Sequence, residues 1–258
     1  MTTLRTEALV LRYVHFGESD LIIHLLVPAL GKLPVIAKGA RRSVKRFSGS
    51  LDLFNHVLIQ VDRRRRSALA RLDHAKLIEP FTALRDESTR FALGCYLLEL
   101  LDRLTPEDGV RAEMQHLFRF ALSALNALTE RKPDLRFRIL LQLRALDALG
   151  LRPEFSRCVR CAAVLATGSV EFCVAEGGVV CDSCSSKLPG LMRVHRGTLR
   201  TLERGLDFDW AQLDRLAMAT ASLEEAHRLV GRLQRFHLGV ELRSERFLEQ
   251  VLRSPSTG

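Results

Sequence analysis

Two Cys-x-x-Cys pairs, Cys158/Cys161 and Cys181/Cys184, stand nineteen residues apart, and nothing else in the chain restricts its folding so strongly. Each pair can set two thiolates on one side of a tight turn. The spacing fits the C-x2-C-x15–20-C-x2-C pattern of a structural zinc ribbon. Redox cysteines or a disulfide pair are the alternatives that spacing leaves open. Four thiolates fill a tetrahedral shell, whereas a catalytic zinc site keeps a position for water. One structural Zn2+ is therefore expected to hold the segment from about Pro153 to Lys187, with the activity elsewhere. Cys173, between the pairs, and His195, beyond them, are the weaker candidates for a substitute ligand. Cys95 falls on the apolar face of a helical pattern and reads as a small buried hydrophobe.

Charge divides the chain unevenly. The net charge of the 258 residues is +9. Residues 1–80 hold 14 basic against 7 acidic groups, and the other 178 hold 25 against 23. Such asymmetry points to a polyanion-binding module joined to a near-neutral scaffold. The longest stretch without formal charge, Leu21 to Gly31, is eleven residues, and a membrane span needs about 20 apolar ones. The first residues show no charged leader with an apolar run behind it, so secretion is not expected and a cytoplasmic location is. Six cysteines, four of them at metal spacing, fit a reducing compartment.

The first eighty residues read as β structure. Ala8–Leu11, Leu21–Val27, Leu33–Ala37, Val57–Val61 and Ala68–Leu72 are short apolar runs separated by turn signals such as Phe16-Gly-Glu-Ser-Asp20. Five short strands in this length predict a small barrel of the oligonucleotide-binding (OB) type; an SH3-like barrel would read almost alike. After Glu79-Pro80 the period becomes helical. Ser88–Leu104 carries apolar residues at i, i+3, i+4 and i+7. Thr105-Pro106 predicts the start of a helix reaching about Thr129, and Pro133 the start of another ending at Leu149 with Gly150 behind it. A second helical block is expected from about Gly197, with Ser222-Leu-Glu-Glu225 as a capping box before a helix through Leu238. The tail Ser254–Gly258 reads as disordered. The expected fold is α+β and multidomain: a barrel at 1–80, helices at 81–152, the four-cysteine insert at 153–190, and further helices at 191–258.

Two basic runs carry the excess charge. Lys38, Arg41, Arg42, Lys45 and Arg46 occupy a stretch rich in Gly and Ser with no acid until Asp52. Arg63, Arg64, Arg65 and Arg66 lie at an expected turn between the last two strands. Mobile cations beside approachable backbone serve sequence-independent nucleic-acid binding, and Tyr13, Phe16, Phe47 and Phe54 are nearby stacking candidates. The competing reading makes the charges solvated surface and the aromatics core.

Common catalytic signatures are absent from the sequence. There is no G-x-x-x-x-G-K-[ST] loop, no H-E-x-x-H helix and no G-x-S-x-G elbow, and no histidine begins H-x-E. A non-catalytic binding protein is the expectation.

In order along the chain, Ala8-Leu-Val-Leu11, Gly17-Glu-Ser-Asp20, Val35-Ile-Ala-Lys-Gly-Ala-Arg-Arg42, Glu79-Pro-Phe81, Tyr96–Leu101, the two cysteine pairs with Gly177–Cys181, Phe236–Gly239 and Phe247-Leu248 resemble the RecO family of bacterial recombination mediators. The resemblance implies an N-terminal OB domain and a helical domain interrupted by a zinc-binding insert on Cys158, Cys161, Cys181 and Cys184. It implies binding of single- and double-stranded DNA and annealing of complementary strands. It also implies partnership with RecR, and often RecF, in loading RecA onto DNA coated by single-strand-binding protein. DNA contact carries over to Lys38, Arg41, Arg42, Lys45 and Arg46; for Arg63–Arg66 it rests on charge. The residues by themselves leave open a zinc-ribbon accessory factor of translation or transcription that binds RNA through the same barrel.

Overall fold

The structure is a computed structural model that describes residues 3–62, 69–165, 168–186, 188–239 and 242–253. Five strands, β1 (Thr3–Phe16), β2 (Asp20–Val27), β3 (Gly31–Ala37), β4 (His56–Asp62) and β5 (Ala70–Glu79), close into a barrel in the order β1-β2-β3-β5-β4. All neighbours are antiparallel except β3 and β5, which are parallel. Alternation along β2, β3 and β4 sends Ile23, Leu25, Val35, Val57 and Ile59 into the core, as a period of two requires. The short helix α1 (Val44–Phe47) adds Phe47 to that core, and Leu51 follows it.

Strand β1 does not alternate regularly. A bulge between Val10 and Arg12 resets its register against β2, so that residues on either side of it face oppositely to simple alternation. Before the bulge, the core residue Val10 sits opposite Leu25; after it, Tyr13 opposes Ile23 and His15 opposes Leu21. Arg12 is thereby turned outward with His24.

That outward pair meets α2 (Ser88–Leu104) at Asp102. Asp102 Oδ1 lies 2.5 Å from His24 Nδ1, and Oδ2 lies 3.4 Å from Arg12 Nε. Lys32 Nζ donates to the Asp102 carbonyl at 2.9 Å. Burial pushes the Asp102 carboxyl up, but the His24 hydrogen bond and the surrounding cations prevail, and it stays below its ordinary value. A depressed folded value contributes stability that is fully present above the unfolded carboxyl value of about 3.9 and is lost as pH falls through the folded one. Asp102→Asn is therefore expected to cost about 1–3 kcal/mol near neutrality, through the imperfectly satisfied partners it leaves. The same substitution should flatten the acid limb of stability against pH; an unaltered acid limb in urea titrations would show that Asp102 does not govern it.

Helix α2 runs over the residues its apolar period predicts, with the Glu87 carboxylate accepting from the backbone N–H groups of Thr89 and Arg90. It is buried on more than one face because it meets the barrel, α3 (Arg111–Glu130) and α8 (Arg243–Arg253). Gly94 lies where an added Cβ would come within 2.8 Å of the Phe54 ring.

The expected helix start at Thr105-Pro106 is not found: α3 begins at Arg111, with Val110 as its N-cap. Residues 105–110 instead bond the β2–β3 turn, where Lys32 N–H donates to Pro106 O and Gly109 N–H to Leu30 O. Gly31, at φ +77°, allows this approach, since a Cβ there would lie 2.5 Å from Pro106 O. Long-range backbone hydrogen bonds outweigh a local proline preference.

Packing divides the chain into one unit of Met1–Lys132 with Leu242–Gly258 and a second of Pro133–Glu241. In the first, Glu99 of α2 accepts from Arg243 N–H, Ser244 N–H and Ser244 Oγ, acting as a cap for α8. In the second, α4 (Leu135–Ala148) starts after Asp134, whose side chain accepts from Phe137 N–H, so Pro133 stands outside the helix. It ends with Gly150 at φ +78°, the C-terminal arrangement expected from the sequence. Strands β6 (Ser169–Cys173), β7 (Gly178–Val180) and β8 (Leu191–His195) form a sheet in the order β7-β6-β8, with the one-turn helix α5 (Asp182–Ser185) between β7 and β8. Helices α6 (Arg196–Asp207) and α7 (Thr220–Leu238) complete the unit and meet α4.

The expected capping box is absent. Helix α7 starts two residues before Ser222, and Glu225 accepts from His195 N–H instead. No helix among the described residues is long and apolar enough to cross a membrane. The architecture is α+β, a sheet-rich N-terminal part followed by a mainly helical one.

Candidate nucleic-acid interface and metal centre

The basic segment 38–46 leaves the end of β3 and is tied to the β1–β2 hairpin. Asp20 at the start of β2 accepts from Lys38 Nζ and from Gly39 N–H, both at 2.7 Å. These two donors hold the Asp20 carboxyl below its ordinary value. Arg41 N–H donates to Ser19 O, and Arg41 Nη1 to Glu18 O at 3.1 Å. The backbone of the loop is thus fixed to a neighbouring turn, while Lys38, Arg41, Arg42 and Lys45 keep their side chains in solvent.

Lys38, Arg41, Arg42 and Lys45 are exposed, and Arg46 is half-buried. Among the described residues, Arg42 pairs with Glu18 at 3.5 Å, with the two side chains 74% and 91% exposed. Such a pair is worth little and yields readily to a competing anion. Arg46 differs: Nη2 donates to Lys38 O, Nε to Ser43 Oγ at 3.2 Å, and the guanidinium lies over the Phe47 ring. It holds the loop in shape as well as carrying charge. Arg63–Arg66 lie outside the described residues.

The four aromatic candidates separate by position. Phe47 and Phe54 are buried in the core; Tyr13 and Phe16 are exposed. Tyr13 and Phe16 are exposed because β1 outruns its neighbour: β4 starts opposite Leu9, so nothing from that strand covers the hairpin beyond the bulge. Phe54 instead packs against Gly94 and Phe91 of α2. In the sequence, Phe16–Asp20 reads only as a turn; that Glu18 and Asp20 anchor the basic loop is visible only in the structure.

The four paired cysteines converge. Their Sγ atoms all lie within 4.8 Å of one another, and Cys161 Sγ is 3.6 Å from Cys181 Sγ. The first pair sits on a turn where Ala162 N–H donates to Cys158 O and Cys158 N–H to Ala163 O. Cys181 is the N-cap of α5, and Cys184 N–H donates back to Cys181 O. Backbone bonds between Val159 and Val179, and between Glu154 and both Gly177 and Val179, join the two turns. A Cβ on Gly178 would collide with the Val159 side chain, so a glycine is needed at that crossing.

The thiols do not titrate alike. Burial opposes ionisation of Cys158, but backbone N–H groups of Cys181, Cys161 and Arg160 bring it down to about 6. Hydrogen bonding to Cys181, together with burial, drives Cys184 up to about 12. Crowded thiols resist joint ionisation unless a cation sits among them, so the cluster can hold a metal ion. Cys173 is buried on β6 outside the cluster. His195 caps α6, its Nδ1 accepting from Gly197 N–H at 3.1 Å. Cys95 is half-buried, and its thiol is pushed up to about 11 chiefly by burial, which makes it unreactive.

Comparison with known proteins is consistent along the chain. Residues 1–81 match the sequence family described as "Recombination protein O N terminal", and residues 85–246 match "Recombination protein O C terminal". "DNA repair protein RecO" of Anaeromyxobacter sp. (strain K) is 34% identical over 251 residues, covering 97% of this chain and 98% of the relative. That of Symbiobacterium thermophilum is 32% identical over 256 residues, covering 98% and 99%. That of Bacillus subtilis (strain 168) is 29% identical over 250 residues, covering 96% and 94%.

Proposed function

The chain belongs to the RecO family of DNA repair proteins, and from that premise we propose that it is a non-catalytic recombination mediator. It binds single- and double-stranded DNA, anneals complementary strands, and helps load RecA onto DNA coated by single-strand-binding protein, in partnership with RecR and, in some settings, RecF. A DNA partner puts its work in the cytoplasm. The observation that carries this reading is the cationic loop 38–46, anchored at Asp20, with Lys38, Arg41, Arg42 and Lys45 exposed to solvent.

The barrel is read as OB type from its five-strand order and its parallel β3–β5 pair. Phosphates would meet Lys38, Arg41, Arg42, Lys45 and Arg46, with Arg63–Arg66 as a further contact assigned by charge. Contacts of this kind grip the backbone without reading bases. Annealing then follows from physics: two polyanions held on one cationic surface repel each other less, and base pairing does the rest.

For the metal, zinc is the ion that fits. A tetrahedron with Zn–S bonds of about 2.3 Å has sulfur–sulfur edges of about 3.8 Å, and the observed thiols lie at 3.6 Å and within 4.8 Å. Cys158, Cys161, Cys181 and Cys184 would hold it, and it would supply cross-linking of the two turns with no open position for chemistry. The function is tested by strand annealing on DNA pre-coated with single-strand-binding protein, with and without RecR. Annealing that RecR modulates is the expected result. Failure to anneal either bare or coated strands would remove the mediator reading.

A further inference from the structure

The loop 38–46 and the β1–β2 hairpin enclose a groove of about 520 Å3, open to solvent, and nothing in the phosphate contacts just proposed requires it. Its origin is the bulge in β1. With the register reset there, Tyr13 and His15 continue the inward-facing row of the barrel, opposite the core residues Ile23 and Leu21. Strand β4 begins opposite Leu9, so beyond that point β1 is paired only with β2 among the described residues and its other edge is uncovered by a strand. The chain segment 40–52 passes in front instead and leaves a cleft.

The cleft has a definite chemistry. Leu21, Phe47 and Leu51 line it with apolar surface, and Tyr13 and His15 contribute two rings, 6.0 Å apart and nearly perpendicular. Tyr13 is 37% exposed, so its ring is neither core nor fully solvated. Arg41 lines the same cleft from the loop that bears the five cations. Gly49, at φ +72°, has open space where a Cβ would stand, so a flat group can come close to the backbone there. The one acid in the lining, Asp52, is engaged by Leu53 N–H at 2.8 Å and by Arg85 at 3.3 Å. An aromatic, apolar slot next to phosphate-binding cations matches one ligand class: a nucleobase whose own phosphates lie on the loop.

We propose that the Tyr13–His15 groove takes a single unpaired base of single-stranded DNA, stacked on the Tyr13 ring, and so gives the barrel a preference for single strands. This rests on the DNA-binding reading of loop 38–46 and adds a base subsite to it. Duplex DNA hides its base faces within the stack and can offer the groove nothing. Phosphates, by contrast, are common to both forms. Stacking on an aromatic ring tolerates any base, so the preference is for strandedness and not for sequence.

The test uses the full-length protein with an oligothymidylate, the same sugar–phosphate chain carrying abasic residues, and a duplex of equal length. Tyr13→Ala and His15→Ala are compared with Tyr13→Phe, and thermal melting checks that each variant is folded. Tyr13→Ala should weaken oligothymidylate binding about 5- to 100-fold and leave duplex binding within about twofold, while Tyr13→Phe stays near wild type. The wild type should lose a similar factor on the abasic chain, and the Tyr13→Ala variant should not distinguish the two chains. Equal losses on single strand and duplex would overturn the proposal, as would an abasic chain bound by the wild type as tightly as oligothymidylate, the outcome expected if the groove takes an apolar peptide. If Tyr13→Ala binds normally while alanine at Arg41, Arg42 and Lys45 abolishes binding, the base subsite falls and the DNA reading stands. If neither set has any effect, both fall.

Discussion

Replacing Cys158 with serine, or extracting the metal with a chelator, should unfold the module built on β6, β7 and α5. Apparent binding free energies of structural zinc in small modules are about 10–16 kcal/mol near neutral pH, comparable with the whole stability of a domain. The backbone bonds that join the two cysteine turns, such as Val159 N–H to Val179 O, are few. Without a cation, four thiolates this close repel one another, and the cluster pulls Cys158 down and Cys184 up. Elemental analysis should give one zinc per chain. Amide exchange in Ser169–Cys173 and Gly178–Val180 should accelerate strongly on chelation, before any direct loss of DNA affinity. A Cys158→Ser protein that keeps its exchange protection but no longer anneals strands would show that the cluster does more than brace the fold. Cys173→Ser should leave the metal content unchanged, since Cys173 lies outside the cluster.

Alanine at Arg41, Arg42, Lys45 and Arg46 together should remove most of the salt dependence of DNA binding. If four to six phosphates are neutralised on a single strand, log K falls with log salt at a slope of about −3 to −4. Each lost contact should flatten that slope by about 0.7, and affinity should drop at least about tenfold at low salt, uniformly across sequences. Arg46 complicates the interpretation because its guanidinium also bonds Lys38 O and Ser43 Oγ. A triple variant retaining Arg46 separates charge from loop shape: it should still flatten the slope by about 2 while melting like the wild type. An unchanged slope in both variants would locate the DNA surface elsewhere on the protein.

Much of the candidate site was readable because it is local. Two residues between cysteines fix a turn whatever surrounds it, and nineteen more allow the second turn to return to the first. The strands announced themselves as branched apolar runs, and the basic loop as an unbroken set of cations among glycines and serines. The aromatic candidates were not separable in this way. Phe54 and Tyr13 both stand in a β-rich region, yet one is fully buried and the other is 37% exposed. Phe54 lies in a turn that packs onto Gly94 and Phe91 of α2, whereas Tyr13 lies where β1 has outrun β4; both fates are set by contacts across the fold, not by composition. Thr105-Pro106 misled for the same reason. A local helix-start preference lost to hydrogen bonds with the β2–β3 turn, more than seventy residues earlier in the chain.

What the sequence determined alone, then, is whatever depends on neighbours along the chain: the cysteine turns, the apolar periods of β2, β3, β4 and α2, and the clustering of charge in the first third. Only the tertiary structure decided which surfaces these elements share. The bulge in β1 sends Arg12 outward to Asp102 and turns Tyr13 toward an open groove, and Glu99 gathers α8 into the first unit. The physical reason is that a one-residue shift in register exchanges the two faces of a strand. A buried carboxylate likewise selects its partners by distance in space, which the order of residues does not encode.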